Sequence, residues 1–362
     1  MSKLIVNINK IIDNIKKLDL LLKPKGIKWT LVTKILSGNK KILNAILKDP
    51  VIKKLHSIGD SRLSNLKAIK SINPKIITMY IKPPVIKDAF KVIKYADIST
   101  NTSIKTIEAL NKEAINQNKI HKIIIMLELG ELREGVLPKN LIKFYSRCIN
   151  LSNIQVIGIG TNLGCMYGIK PSIDNMHKLT FYKKQLEKEF NKKLKLISGG
   201  GSINLQLTTS NASKEINHLR IGEAVFLGTN PLTGKKFKNL NTDVFKYKAN
   251  IIELKKKKNK PYGKISQANI GHTSKIKNSE VETYRAIVDF GLLDVDAREL
   301  KPISKNISFI GTTSDMSVFD LHKNINTKEY NKKQIGSSIK FKLSYMAVAR
   351  LCHSKYTEIE VK

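Results

Sequence analysis

The sequence predicts a (β/α)8 TIM-like barrel joined to a C-terminal β-rich domain. Three observations carry that prediction. Eight extended segments alternate with helical ones between residues 9 and 233, the count and order of such a barrel. One of them, residues 121–129 (HKIIIMLEL), is almost continuously apolar, as a parallel strand covered on both faces requires. From about Gly234 onward helical spacing fades and short extended segments follow one another.

The elements run as follows. Residues 4–8 form a strand outside the barrel count, which is assigned to the C-terminal domain. The domains are therefore 9–233 and 1–8 plus 234–362. Residues 11–22 have helical spacing. Strand 29–34 (WTLVTK) precedes a helix over 40–47, and strand 55–59 a helix over 63–72. Strand 75–81 precedes a helix after Pro84, and strand 96–100 a helix over 104–117. Strands 121–129 and 154–161 follow, then a helix over 173–190, then strands 194–199 and 218–222. The β-rich part reads as strands over 243–254, 282–290, 307–310, 318–321, 338–343 and 356–361.

Composition narrows the function. The chain has 362 residues, 41% apolar, enough for a barrel and a smaller unit. No apolar run reaches the roughly 18 residues of a membrane span, and residues 1–10 lack a signal-peptide pattern. Cys148, Cys165 and Cys352 are far apart and form no CxxC pair, which argues against a zinc ribbon and a disulfide framework. The expectation is a cytoplasmic protein with reduced thiols. Net charge is +36, yet only seven of the 65 basic residues are Arg. Specific nucleic-acid readers favour Arg for bidentate contacts. Lys here is spread through nearly every segment beside abundant Ile and Asn, the mark of AT-rich codons, so specific nucleic-acid binding is not expected. Lys255 to Lys258 form the one basic run, read as a solvated loop. Where Arg survives such a drift toward Lys, the planar guanidinium is needed.

In such a barrel the reactive groups sit at the C-terminal ends of the strands. Lys34 ends the first strand after Val32 and Thr33, where a desolvated lysine has a lowered pKa and forms an imine. Gly199, Gly200, Gly201 and Ser202 follow the seventh strand as an anion cradle of backbone N–H groups and one hydroxyl, a reading favoured over a flexible turn at this position. Lysine and phosphate cradle together point to pyridoxal 5'-phosphate (PLP). Arg220 on the eighth strand is either half of an ion pair with Glu223 or a contact to the pyridine nitrogen, which it would keep unprotonated. Arg133 is either paired with Glu131 or Glu134 at a helix start or clamps a substrate carboxylate.

These stretches resemble the fold-type III PLP enzymes, the alanine-racemase superfamily, and within it the branch of ornithine racemase and related amino-acid racemases. The resemblance runs through VTKILSGN, GDSRLSNLKAI, YADIS, NKIHKIIIMLELGELREG, GIGTNLGC, SGGGS and NHLRIGEAVFLG, and continues through IIELK, DVD, GTTSD and FKLSYMAVARLCHSKY. It implies Lys34 as the Schiff-base lysine and Arg220 at the pyridine nitrogen. It implies Gly200, Gly201, Ser202 and Gly222 near the phosphate and Arg133 near the substrate carboxylate. It also implies Asn162 against the cofactor ring, where alanine racemases carry a His.

The implied activity is interconversion of L- and D-amino acids (ornithine, lysine or alanine) by two-base proton transfer at Cα. Lys34 serves one face. The resemblance implies that the other base comes from a partner subunit's C-terminal domain, and hence a homodimer. Its candidates are Asp315, Tyr345, Cys352 and His353, with Asp294 behind them, and Tyr345 is also a candidate cofactor contact. Asp315 is alternatively the partner of a substrate's distal ammonium, or simply a turn residue. Leu292 replaces the Tyr that alanine racemases use as second base, and Met316 replaces a His typical of the ornithine-racemase branch, so the second base is unassigned. Two other readings are a non-catalytic PLP-binding protein, which the β-rich domain disfavours, and a PLP-dependent decarboxylase, which Arg220 disfavours.

Overall fold

The computed structural model describes residues 1–209, 215–268, 270–274, 280–322 and 334–362. The chain divides into two compact units: Met1–Asn9, Ile35–Ser37 and Asp243–Lys362 form one, and Lys10–Lys34 with Gly38–Thr242 the other.

Strand β1 (Lys3–Val6) and helix α1 (Ile8–Leu22) open the chain. The barrel strands follow: β2 (Lys28–Val32), β3 (Ser57–Asp60), β4 (Thr78–Tyr80), β5 (Ile98–Asn101), β6 (His121–Leu127), β7 (Ile154–Thr161), β8 (Leu196–Ser198) and β9 (His218–Ile221). They close in sequence order, with β9 pairing back to β2 in parallel. Between them lie α2 (Lys40–Leu47), α3 (Leu63–Ile72), α4 (Ala89–Tyr95), α5 (Ile104–Asn116), α6 (Leu141–Ile149), α7 (Ile173–Phe190) and the short α8 (Leu205–Thr209), with α9 (Glu223–Leu227) after β9. Local chemistry marks several starts. Asn39 and Ser103 cap α2 and α5, and Ser172 forms a capping box with Asn175 on α7. One part of the barrel interior is apolar, built from Met79, Ile98, Ile124, Met126, Ile157 and Leu196.

The other unit is a mostly antiparallel sheet. Its further strands are β10 (Phe245–Lys258), β11 (His272–Thr273), β12 (Glu282–Val288), β13 (Leu300–Pro302), β14 (Ser308–Thr312), β15 (Ser317–Asp320), β16 (Ser338–Leu343) and β17 (Glu358–Val361), with helix α10 (Tyr345–Leu351) before the last. β1 joins this sheet, antiparallel to β10 and parallel to β17. An irregularity between Ile251 and Glu253 lets β10 serve β1 and β16 with one half and β12 with the other. Tyr247, Phe290, Phe319 and Phe341 pack together as the aromatic heart of this unit.

Several expectations need correction. The first barrel strand stops at Val32, and Lys34 begins a 3-10 turn, Lys34–Leu36. The four lysines 255–258 are not a loop. They end β10, where β12 supplies their backbone partners and Glu253 and Glu280 face three of the ammonium groups. Helices α6 and α10 were not read from the sequence. Their signals were present: Leu141, Tyr145 and Cys148 are the buried stripe of α6, and Ser344 caps α10 by accepting from Ala347 N.

Phe341→Ala is expected to destabilise the sheet unit by about 3–5 kcal/mol, since it empties a fully buried aromatic position. Urea unfolding followed by tyrosine fluorescence checks this, and a change below about 1 kcal/mol would contradict the packing described.

Candidate active site

The barrel mouth is assembled from strand ends. Thr33, just after β2, is buried, and its hydroxyl donates to Asp60 Oδ2 at 3.0 Å. Asp60, the last residue of β3, also accepts from Arg62 N and Asn65 Nδ2, each at 3.0 Å. Burial pushes the Asp60 carboxyl up to about 6, although these donors hold it down. Lys34 follows Thr33. Its side chain is exposed, so the desolvated setting expected from the sequence is not what surrounds it: the strand stops at Val32 and the 3-10 turn carries the lysine off the apolar wall.

The glycine run follows β8 and presents bare backbone beside β9. Gly200 has φ +119°, and a Cβ there would lie 2.4 Å from Asn204 Oδ1. Its carbonyl accepts from Arg220 N at 2.8 Å. A Cβ on Gly222 would lie 2.9 Å from Val32 O. Ser202 Oγ accepts from Gly222 N at 3.3 Å and from Ala224 N at 3.1 Å. The structure thus gathers Gly200, Gly201, Ser202 and Gly222 around one backbone surface at the ends of β8 and β9.

Arg220 is only 8% exposed. Its Nη1 donates to Ser198 Oγ and its Nη2 to Thr161 O, the latter at 2.7 Å. Among the described residues no carboxylate pairs with it. The alternative ion pair with Glu223 is therefore not formed. Burial lowers its pKa to about 10, which still leaves it cationic at neutral pH. Burial also raises the pKa of Glu223, with Lys34 acting in the opposite direction.

Arg133 sits in the loop after β6, not at a helix start. It forms a two-pronged pair with Glu134 and donates from Nη1 to Cys165 Sγ at 2.6 Å. With its amide oxygen turned toward the guanidinium, Asn162 accepts from Nη1 at 3.3 Å and Nη2 at 2.5 Å. Arg133 and Asn162 are therefore brought together.

Sequence reasoning missed the roles of three carboxylates here. Glu128 accepts from Gly130 N, Leu132 N and Arg133 N and so fixes the turn that carries Arg133. Asp60 holds the segment before Lys34. Glu131 is buried and faces six backbone N–H groups, from Gly164, Cys165, Met166, Tyr167, Gly168 and Ile169. Burial alone would raise its pKa, but that ring of donors holds it at about 2. A Glu before a run of polar and glycine residues was the available signal, but it does not reveal which loop the carboxylate holds.

The remaining candidates belong to the sheet unit. Asp315 is exposed at the tip of the β14–β15 hairpin and accepts from Thr313 Oγ1 and Ser314 Oγ, as a turn residue does. Tyr345 opens α10, half-buried. His353 follows α10 and is exposed. Cys352 is buried, and burial pushes its thiol up to about 12, which removes it as a base. Asp294 accepts from Ser354 Oγ at 3.0 Å and so ties the chain beside His353 to the 291–294 stretch. Leu292 N and Leu293 N donate to Thr313 O and Ser314 O, which brings the two positions that depart from related patterns, 292 and 316, into one hairpin region.

Comparison with known proteins matches the alanine racemase N-terminal domain family to residues 6–230. The chain is 34% identical to the ornithine racemase of Acetoanaerobium sticklandii over 361 residues, 99% of each chain. It is 27% identical to the lysine racemase of Thermotoga maritima over 360 residues, 98% of this chain and 97% of that one. Among solved structures, the alanine racemase of Clostridium difficile matches with TM-score 0.75 at 13% identity, covering 100% of this chain and 95% of that one, which shows the shared fold. Membership of this family implies PLP. The residues present fit such a group: a glycine cradle without side chains, a buried cation without a carboxylate, and a lysine at one barrel mouth.

Two carboxylates give opposite pH signatures. Asp60 has a folded pKa above its ordinary 3.8, so it favours the fold at low pH and that contribution is lost as pH rises toward about 6. Asp60→Asn keeps an acceptor for Arg62 N–H and is expected to be more stable than wild type at pH 7 by on the order of 1–3 kcal/mol. Its urea midpoint should lack the decline between pH 4 and 6, and an unchanged slope would refute the raised value. Glu131 is the reverse, stabilising above its ordinary 4.5 and losing this as pH falls toward about 2. Glu131→Gln is expected to weaken the 164–169 loop by on the order of 2 kcal/mol, seen as roughly tenfold or faster amide hydrogen exchange there.

Proposed function

The chain belongs to the alanine racemase family, and from that premise we propose that it is a PLP-dependent amino-acid racemase acting on a basic amino acid, ornithine or lysine, ahead of alanine. The observation that carries the reaction type is Arg220. A buried guanidinium with no carboxylate partner among the described residues is suited to an unprotonated pyridine nitrogen, because it cannot give that nitrogen a proton. Reversible proton movement at Cα tolerates such a ring, whereas decarboxylation is better served by a carboxylic acid there. End-to-end similarity to an ornithine racemase and a lysine racemase supports the substrate class.

In this reading Lys34 Nζ anchors the cofactor and Gly200, Gly201, Ser202 and Gly222 hold its phosphate. Bound PLP supplies the electron sink that acidifies the substrate Cα–H. Asn162 would border the ring, and Arg133 is oriented by Glu134 and Asn162. Arg133 receives the substrate carboxylate by exchanging part of its pairing with Glu134 for the incoming oxygens. Lys34 Nζ takes or returns the Cα proton on one face. The other face is served from the C-terminal unit of a partner subunit in a homodimer, with Asp315, Tyr345 and His353 as the candidate groups. Asp315, exposed at its hairpin tip, is alternatively the acceptor for the distal ammonium. Tyr345 is also assigned as a cofactor contact. The same reading places the enzyme in the cytoplasm. The three cysteines are free, and among the described residues no helix is long and apolar enough to cross a membrane.

Proton NMR in D2O tests this. With PLP, L-ornithine or L-lysine is expected to lose its Cα-proton signal and its optical rotation together, at least about tenfold faster than L-alanine. Lys34→Ala should abolish both losses. Exchange with retained rotation would mean that the second base is missing, and no exchange with any of the three would sink the racemase reading for these substrates.

A further inference from the structure

A line of polar side chains crosses the barrel interior, and racemisation at the mouth does not by itself require it. Arg220 Nη1 donates to Ser198 Oγ, which lies 2.8 Å from His218 Nδ1. His218 Nε2 lies 3.0 Å from Thr30 Oγ1, and Thr30 Oγ1 2.7 Å from Ser57 Oγ. Ser57 Oγ lies 3.1 Å from His56 Nδ1. The two imidazoles also meet edge to face with centroids 4.8 Å apart. Thr30, Ser57, Ser198 and His218 are buried, Thr30, Ser198 and His218 completely. The line begins at the mouth and ends just before β3, at the opposite end of the barrel. There His56 borders a cavity of about 500 Å³, lined also by Asn44, Lys48, Asn73 and Ile77.

Hydrogen-bond chemistry orders this line. A guanidinium only donates, so Ser198 Oγ accepts from Arg220 and its own hydrogen is available to His218 Nδ1. The imidazole proton then sits on Nε2 and goes to Thr30, which has Met79 Sδ at 3.8 Å as a weaker second partner. Thr30 can donate onward to Ser57, and Ser57 to His56. A carboxylate in place of this line would neutralise Arg220. A neutral imidazole behind a serine holds the guanidinium without neutralising it.

We propose that His218, as the neutral Nε2–H tautomer and acting through Ser198, is a positioning residue for Arg220, fixing the guanidinium and leaving its full charge for the pyridine nitrogen of the cofactor. This role rests on the racemase reading. Its electrostatics agree. Burial holds the His218 pKa well below the ordinary imidazole value, with His56, Arg220 and Lys28 adding to the effect. Burial, then Lys28 and Lys122, lower His56 to about 4. Both rings are thus neutral near pH 7.

The test uses the full chain labelled with 15N-histidine, first without added cofactor. Long-range 15N–1H correlation is expected to show His218 neutral with its proton on Nε2. His121, buried against Ser99 Oγ at 2.8 Å elsewhere in the barrel, is the internal control. In Ser198→Ala the His218 Nδ1 resonance should move while that of His121 stays. With PLP, kcat should fall about 10- to 100-fold with KM changed less than roughly threefold, and Ser198→Thr should restore most of it. Thr30→Val gives a second cut, on the Nε2 side, should Ser198→Ala not fold. A cationic His218 or a proton on Nδ1 in the wild type overturns the proposal, as does a Ser198→Ala enzyme with unchanged kcat. Failure of the racemase reading shows separately, as absence of Cα exchange in the wild type.

Discussion

A guanidinium buried in the barrel mouth, with no carboxylate partner among the described residues, is the constraint around which much of the interior is arranged. Taking such a charge out of water costs several kcal/mol even after relaxation. Arg220 recovers part of this through Thr161 O and Ser198 Oγ. Ser198 in turn requires a partner, and so do His218, Thr30 and Ser57. One buried cation thus makes a whole strip of the barrel interior polar. The apolar cluster of Met79, Ile98, Ile124, Met126, Ile157 and Leu196 supplies the hydrophobic packing on the remaining strands. Because β9 alternates its faces, His218 and Arg220 share one side, and the parallel register sets Thr30 of β2 beside Arg220.

Carboxylates organise the loops above that interior. Asp60 and Glu131 are both buried, yet their proton affinities move in opposite directions. Asp60 accepts from Thr33, Arg62 and Asn65, and burial still wins; Glu131 faces six N–H groups and the donors win. In a chain with 29 acidic against 65 basic residues, carboxylates are scarce. Glu128, Glu131 and Glu134 lie within one short stretch and fix, respectively, the turn of Arg133, the loop of Cys165 and the guanidinium itself. The loop therefore has its shape in the protein alone, and the Arg133 guanidinium is held in one direction.

Much of the barrel was legible because its signals are local. Residues 40–47, 63–72, 154–161 and 173–190 come out as read, since capping residues and apolar periodicity act within a few residues. The places of the glycine run and of Arg220 at strand ends were legible too. What was not legible depends on distant partners. The lysine run 255–258 is indistinguishable from a loop until β12 is known to pair with it. Glu131 carries no mark of the six N–H groups some thirty residues away. Cys352 is a candidate second base by sequence, and only its burial shows otherwise. The exposure of Lys34 follows from where β2 stops, a boundary that a continuous apolar stretch does not mark.

The survival of arginine in a lysine-rich chain can now be given a physical reason at particular positions. Arg298 reaches both oxygens of Asp296 from Nε and Nη2, a contact that needs a planar fork. At Arg220 the reason is proton affinity as well as shape. Burial lowers this guanidinium from 12.5 to about 10, and it keeps its charge. An ammonium starts about two units lower, so the same burial would bring it close to losing its proton at neutral pH. It would also lack the separate Nη1 and Nη2 that reach Ser198 and Thr161 at once. Lysine at 220 would thus make the charge depend on pH and remove the fixed direction, since one ammonium cannot present two separate nitrogens to Ser198 and Thr161.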